Sequence, residues 1–431
     1  MRSWNETKGW NPVFNKLIEI KRKYEEKFGL MSDDYNQTNV TCIERWVDML
    51  EIQEYVDLFK PLQITQYNDL LLVRYGKYGD VLGGEEDITF NDFWDMYDGF
   101  YLECRSVVID IRKEQLVLTP FRKFRNLNEC EENSLENITT RINNAKCVEF
   151  SNKLDGSMQS ARYFEGKYVM SGSMALDPHN SWRLDDGYKM LDERYRKMLF
   201  DCDCFTFIFE YISVKDAHVV NYTKEQEGLY LIGARDTRDG KEMTYSEILE
   251  IAKEYDILTT EVYDKTLDEV MKDITVLKSN VKEGFVVNID GYKIKIKCDD
   301  YVNIHRILSN ISSINLIIKN IADDTFDDML SKIPQSYRNR VLKVAEYVFK
   351  YIHETDTNVK NYFNVAPKNS TKDFMIFIDK YVPQNIKAYC REMYLGKPIN
   401  YIKSSNDKCP RYKKLKEMGI ENYTDLFREE I

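Results

Sequence analysis

Between Leu70 and Lys297 the 431-residue sequence is cut into short β-forming runs, and this punctuation limits the fold more than any other feature. LLLVRY (70–75), RSVVIDI (105–111), CVEFSNKL (147–154), FTFIFEYI (205–212) and GLYLIGAR (228–235) have the length and the branched or aromatic content of strands. SMQSARYF (157–164) and KYVMSGS (167–173) flank Glu165-Gly166, while EGFVVNID (283–290) and YKIKIK (292–297) flank Asp290-Gly291. Such dipeptides accept the positive φ that a two-residue hairpin requires, so these strands pair antiparallel. Helical spacing interrupts them at 186–199 and 244–255. It also precedes them, from Asn11-Pro12 to Gly29 and from Thr41 to Phe59 before Pro61. After Tyr301 the strands stop, and 302–320, 337–354, 372–381 and 385–394 read as helices. The expected chain is α+β: a helical N-terminal extension (1–65), a domain of antiparallel sheets flanked by helices (66–301) and an all-helical C-terminal domain (302–431).

No apolar run reaches the roughly 18 residues of a membrane span. The opening MRSWNETKGW has no apolar signal core, so a cytoplasmic protein is expected. Nine scattered cysteines suit reduced thiols, and Cys202 and Cys204 lack the second pair that a zinc site needs. The net charge of −11 argues against a surface that binds polyanions everywhere; any polyanion must be gripped in a local cleft or patch.

Chemistry concentrates in four segments. Lys153-Leu154-Asp155-Gly156-Ser157 places a lysine at a strand end beside a turn. Taken alone, it reads more readily as a surface lysine beside an Asp-Gly turn. Phe207-Ile208-Phe209-Glu210-Tyr211 carries a glutamate inside an aromatic strand, where an unpaired carboxylate is costly. It is either an outward edge residue or an acceptor for a ribose hydroxyl or a metal's water. Glu283-Gly284-Phe285-Val286 opens a hairpin whose return strand puts Lys293, Lys295 and Lys297 on one face and Ile294 and Ile296 on the other. Three like charges repel unless an anion lies among them; otherwise the face is simply solvated. Upstream, Arg105 and the run Phe121 to Glu129 add fixed cations. In this order the segments meet the needs of nucleotidyl transfer: an amine to attack a phosphorus, cations and a divalent metal for the departing pyrophosphate. The amine must be neutral to attack, and neighbouring cations and a metal are expected to depress its pKa.

The order K-x-D-G-S, F-x-F-E, E-G-F-V, K-I-K resembles the covalent nucleotidyltransferases, the ligases and capping enzymes. LECRS (102–106), KFRNLNE (123–129) and IKIKCDDYVNIH (294–305) make the chain similar to the T4 RNA ligase 1 family, over roughly residues 100–305. The resemblance implies the nucleotidyltransferase fold and an ATP-dependent RNA ligase using Mg2+ or Mn2+. Its substrates would be RNA 5′-phosphate and 3′-hydroxyl ends, single-stranded or in a broken tRNA loop, with RNA or tRNA repair as the role and a monomer as the form. It implies that Lys153 is the adenylylated nucleophile, that Asp155 and Gly156 shape its turn within the nucleotide site, and that Glu210 contacts the ribose. Glu283 would help hold the metal, Lys295 would face the α-phosphate, Lys297 the leaving phosphates, and Arg105 and Lys123 the triphosphate. Tyr301 falls on a further family position. Two departures stand out: Ser171 where the family has a lysine, and Arg125 where it has an aromatic residue.

Residues 387–417 carry nine basic residues against three acidic ones, among them Lys403, Arg411, Lys413 and Lys414, with four tyrosines interleaved. This composition suits single-stranded RNA, or a solvated helix face with core tyrosines. The competing readings are a DNA ligase or mRNA guanylyltransferase on the same scaffold, and a catalytically silent RNA-binding protein.

Overall fold

The computed structural model describes residues 9–36, 40–76, 90–176, 181–216, 218–278, 280–298, 314–322, 325–331, 335–397 and 399–402. Twelve strands follow one another: β1 (Leu62–Tyr67), β2 (Leu70–Tyr75), β3 (Arg105–Asp110), β4 (Gln115–Leu118), β5 (Val148–Lys153), β6 (Ser157–Phe164), β7 (Lys167–Gly172), β8 (Phe205–Ile212), β9 (Gly228–Asp236), β10 (Val262–Tyr263), β11 (Gly284–Ile289) and β12 (Tyr292–Lys297). They form three four-stranded sheets, ordered β1-β2-β3-β4, β10-β5-β11-β12 and β7-β6-β8-β9, with antiparallel neighbours throughout. Both hairpin dipeptides take the left-handed conformation that their composition favours: Glu165 and Gly166 at φ 46° and 80°, Asp290 and Gly291 at φ 50° and 90°.

Helices flank the sheets. The segment expected as one helix from Thr41 to Phe59 is two, Cys42–Leu50 and Gln53–Phe59, because Glu51 turns left-handed (φ 56°) and ends the first. The segment expected at 186–199 is also two, Trp182–Met190 and Glu193–Asp201; Asp192 caps the second by accepting from the Arg194 and Tyr195 N–H groups. Helices Leu135–Asn144 and Leu267–Val276 were not foreseen, nor were the short Phe90–Asp95, Phe100–Glu103 and Phe326–Ser331, although the Thr266/Glu269 capping box of Leu267–Val276 is a readable start signal. The helices before β1 share one apolar core with β1–β3, where Trp46, Tyr55, Val73, Trp94, Tyr101 and Ile109 are buried.

Two compact units divide the chain, 1–301 and 302–431. The described part of the second is helical: Ile314–Ala322, Phe326–Ser331, Gln335–Val365, Thr371–Tyr381 and Lys387–Tyr394. Its apolar clusters centre on Ile317, Val344 and Val348 and on Phe374, Ile378 and Cys390. Among the described residues no helix is long and apolar enough to cross a membrane.

Glu149 on β5 ties the second sheet to its helical cover. Its buried carboxylate accepts from the Tyr245 and Ser246 N–H groups at the start of helix Tyr245–Glu254, both at 3.0 Å, and from Asn288 Nδ2 of β11 at 2.8 Å. The charge also suits the positive end of the helix. Glu149→Ala leaves these donors without a partner and is expected to lower unfolding stability by about 3 kcal/mol, measured by urea titration.

Candidate active site

The register of β5, β11 and β12 ranks the charged side chains of one sheet face. Facing positions across antiparallel strands share a face. Lys153, Gly284 and Lys297 make one row; Ser151, Val286 and Lys295 the next; Glu149, Asn288 and Lys293 the third. The third row is structural: Glu149 holds Asn288 and the helix start, and Lys293 is buried in an ion pair with Glu242 over the Phe121 ring. Lys293 thus has its own counter-ion, while Lys295 and Lys297 look onto the same end of the sheet as Lys153.

Glu283 joins the first row. Its carboxylate, in a residue only 2% exposed, receives Lys153 Nζ on Oε2 at 2.6 Å and Lys297 Nζ on Oε1 at 2.9 Å. Gly284 is essential to this geometry: at φ 152° its absent Cβ would stand 2.1 Å from the Ile296 carbonyl oxygen. Burial alone would raise the Glu283 pKa, but the two ammonium groups outweigh it and hold the carboxyl below its usual range. Burial alone would lower Lys153; the Glu283 and Glu210 carboxylates outweigh it, so the amine is held above the ordinary lysine value. The expected depression at Lys153 is therefore reversed here, because its nearest charge is an anion. The depressed amine is Lys295. Burial, then Arg105, Lys153, Lys123 and Lys297, push it well down.

Lys295 is held by its own backbone. Its N–H donates to the Arg125 carbonyl at 3.1 Å, and its carbonyl accepts from Leu127 at 2.8 Å, which stitches the segment before residue 128 onto β12. The Phe124 ring of that segment lies 4.9 Å from Lys295 Nζ and 5.6 Å from Arg105 Cζ, and its π face attracts both cations. Lys123 sits 3.6 Å from Glu129 and 4.4 Å from the Trp94 ring; burial lowers its pKa more than Glu129 restores it. Arg105 Nη1 is a buried donor with no hydrogen-bond partner among the described residues, as expected of a cation that awaits an anion.

Across the pocket, Glu210 of β8 accepts from the Gly156 N–H at 3.0 Å. A Cβ at Gly156 would stand 2.4 Å from the Tyr211 carbonyl oxygen, so the turn needs glycine there. Burial, opposed by Lys153 and reinforced by Glu283, pushes the Glu210 carboxyl up to about 7. Asp155 turns away from the pocket. Its Oδ2 accepts from the Val219 and Val220 N–H groups at 2.8 and 2.9 Å, and its own N–H donates to the Tyr222 hydroxyl at 2.9 Å. Ser157 Oγ donates to Asp216 at 2.6 Å, and Asp216 also meets Arg183 at 2.7 Å and His218 Nε2 at 3.2 Å. These partners overcome burial and push Asp216 down to about 2. Asp155 and Ser157 thus clamp the turn after Lys153 to the segment following β8. The sequence reading missed Asp216, His218 and Tyr222, whose only trace is the polar content of SVKDAHVVNY (213–222).

One pocket brings together Arg105, Lys153, Glu210 and Lys295 with apolar Phe121, Met158, Ile232 and Val286. At about 80 Å3 it is smaller than a whole nucleotide, and Lys123, Glu283 and Lys297 lie outside its lining. Ser171 is buried on β7 opposite Ser160 and places no ammonium there; Arg125 pairs with Asp95 at 2.9 Å. Tyr301, Lys403, Arg411, Lys413 and Lys414 lie outside the described residues. Among the described residues no group of three or more His, Cys, Asp or Glu could hold a metal alone. The hard carboxylates Glu283 and Glu210 nevertheless fit Mg2+ or Mn2+, which often bind through one or two carboxylates plus substrate phosphates.

The T4 RNA ligase 1 family model, described as RNA ligase, matches residues 103–301. A protein of Autographa californica nuclear polyhedrosis virus, named as a candidate bifunctional polynucleotide kinase/RNA ligase, is 26% identical over 250 residues, 54% of this chain and 35% of its own length. The chain therefore matches only about a third of that relative. Among solved structures, Naegleria gruberi RNA ligase with ATP and Mn aligns at 17% identity over 40% of this chain and 55% of that chain, with a TM-score of 0.33. The same ligase with AMP and Mn aligns at 15% identity over 43% and 57%, with a TM-score of 0.35.

The raised Glu210 pKa has a defined sign. Between the ordinary 4.5 and about 7 the folded chain binds more protons than the unfolded one, so stability falls as pH rises through that window. Glu210→Gln removes this dependence and keeps an oxygen for Gly156. In urea unfolding it should exceed the wild type by roughly 2 kcal/mol near pH 8 and match it near pH 5.

Proposed function

We propose that this chain is an ATP-dependent RNA ligase that carries AMP on Lys153 between two substrates. The observation that carries the reading is the first row of the site: a lysine at the edge of a mixed apolar and cationic pocket, sharing one buried carboxylate with a second lysine. A resident cation–anion–cation bridge of this kind is suited to exchange. When a triphosphate enters, its oxygens take over as counter-ions of Lys297, Lys295, Arg105 and Lys123. Glu283 would then be free to hold a divalent ion.

The chemistry follows. Lys153 loses its proton to solvent, and the freed lone pair attacks the α-phosphorus. The N–P bond forms, the bond to the bridging α–β oxygen breaks, and pyrophosphate leaves. Lys295 faces the α-phosphate and offsets the charge that develops there. Glu210 orients the ribose and fixes the Gly156 turn. In the second step an RNA 5′-phosphate displaces Lys153 from phosphorus. In the third a 3′-hydroxyl attacks the RNA adenylate, and AMP leaves. Glu283 would hold a divalent ion, which would supply charge neutralisation for the departing pyrophosphate.

Because Lys153 rests protonated, the rate of the first step should rise with pH through the neutral and mildly alkaline range. Incubation with [α-32P]ATP and Mg2+ should label the chain, GTP should not compete, and Lys153→Ala should stay unlabelled. Chasing with 5′-phosphorylated single-stranded RNA should move the label to RNA and yield joined product, with single-stranded DNA and nicked duplex at least about tenfold slower. Labelling by GTP alone would identify a capping enzyme, preference for nicked DNA a DNA ligase, and an unlabelled wild type a silent binding protein.

A further inference from the structure

Met158 lines the nucleotide pocket and also lines a neighbouring groove of about 550 Å3. The groove runs between β1, the paired strands β6 and β7, and the first turn of helix Trp182–Met190. Its lining contains no carboxylate side chain, in a chain with 72 acidic residues and a net charge of −11. Arg183 is the one charged lining residue. Its Nε is fixed by buried Asp216 at 2.7 Å, while the side chain stays 49% exposed. Next to it Trp182 is 45% exposed, with its ring centroid 4.7 Å from Arg183 Cζ; Tyr67 on β1 is 38% exposed and lines the groove. Ser157, Ser173 and Met174 complete the walls.

Exposed aromatic faces beside an anchored guanidinium are what unstacked bases and a phosphate bind. The larger cleft of this unit, about 1010 Å3, has cations too, but Asp95, Asp98, Glu132 and Asp290 line it and would repel phosphates. The two RNA ends also make different demands. A 5′-phosphate end must bring its charge to the cluster around Lys295. A 3′-hydroxyl end is neutral at its tip and needs a platform with little charge. The geometry points to this groove as the seat of the last nucleotides of the single-stranded RNA that supplies the 3′-hydroxyl. This assignment rests on the RNA ligase reading and adds to it where the acceptor strand lies.

RNA ending in 3′-terminal 4-thiouridine, irradiated with the full-length protein, should crosslink to peptides that contain Tyr67 or Trp182. This readout does not depend on turnover. With a pre-adenylylated donor strand, Trp182→Ala and Tyr67→Ala should each raise the KM for the acceptor by about tenfold or more, and leave lysyl-AMP formation at the wild-type rate. Both side chains are exposed, and the retained first step reports a folded protein. Crosslinks confined to other segments, no crosslink, or an unchanged acceptor KM would overturn the assignment. A wild type that forms no lysyl-AMP would count against the RNA ligase reading instead, and the crosslink map would still decide where the RNA end lies.

Discussion

One buried carboxylate governs the site. Glu283 is removed from water and placed between two ammonium groups that approach from different strands, Lys153 on β5 and Lys297 on β12. Breaking such a pair by deleting one partner strands a buried charge, whereas the intact bridge roughly balances its own desolvation. The arrangement is therefore poised rather than simply stable. The sheet makes this possible. Only a three-strand register that aligns Lys153, Gly284 and Lys297 lets one carboxylate reach both lysines, and only glycine fits between them.

The same face shows how structure and chemistry are separated by two-residue steps. Glu149, Asn288 and Lys293 are fully engaged within the protein and hold the sheet to its helix. Two residues further along, Lys295 forms no ion pair among the described residues, and four neighbouring cations act on it. The Phe124 ring, which attracts both Lys295 and Arg105, offsets part of that repulsion, and two backbone hydrogen bonds fix the strand. Natural sites commonly carry such strain where a ligand will relieve it.

Much of this was readable from sequence. The alternation Lys-Ile-Lys-Ile-Lys gave the face, Asp290-Gly291 gave the hairpin, and a glutamate inside the aromatic strand at 210 stood out as a candidate for the site. What could not be read were interactions set by distance in space. Lys153 and Glu283 are 130 residues apart, so the sign of the lysine's pKa shift depends on a contact that no local pattern encodes. The clamp of Asp155 and Ser157 onto residues 216–222 was missed for the same reason: a polar loop carries no periodicity, and its role comes from what it touches. The split helices at Glu51 and Asp192 show the local counterpart, single residues whose backbone or cap overrides an otherwise continuous helical pattern.

If the Glu283 bridge sets the resting state of the nucleophile, its effect is measurable without substrate. Lysine 13Cε NMR, with Lys153 assigned through a Lys153→Arg variant, follows the amine through its titration. The wild-type Lys153 should titrate above the ordinary lysine value of about 10.4, and Glu283→Gln should lower it, because burial then loses its strongest opponent while Glu210 and Asp155 remain. A wild-type Lys153 that titrates below the ordinary value, or one that Glu283→Gln leaves unmoved, would contradict the account.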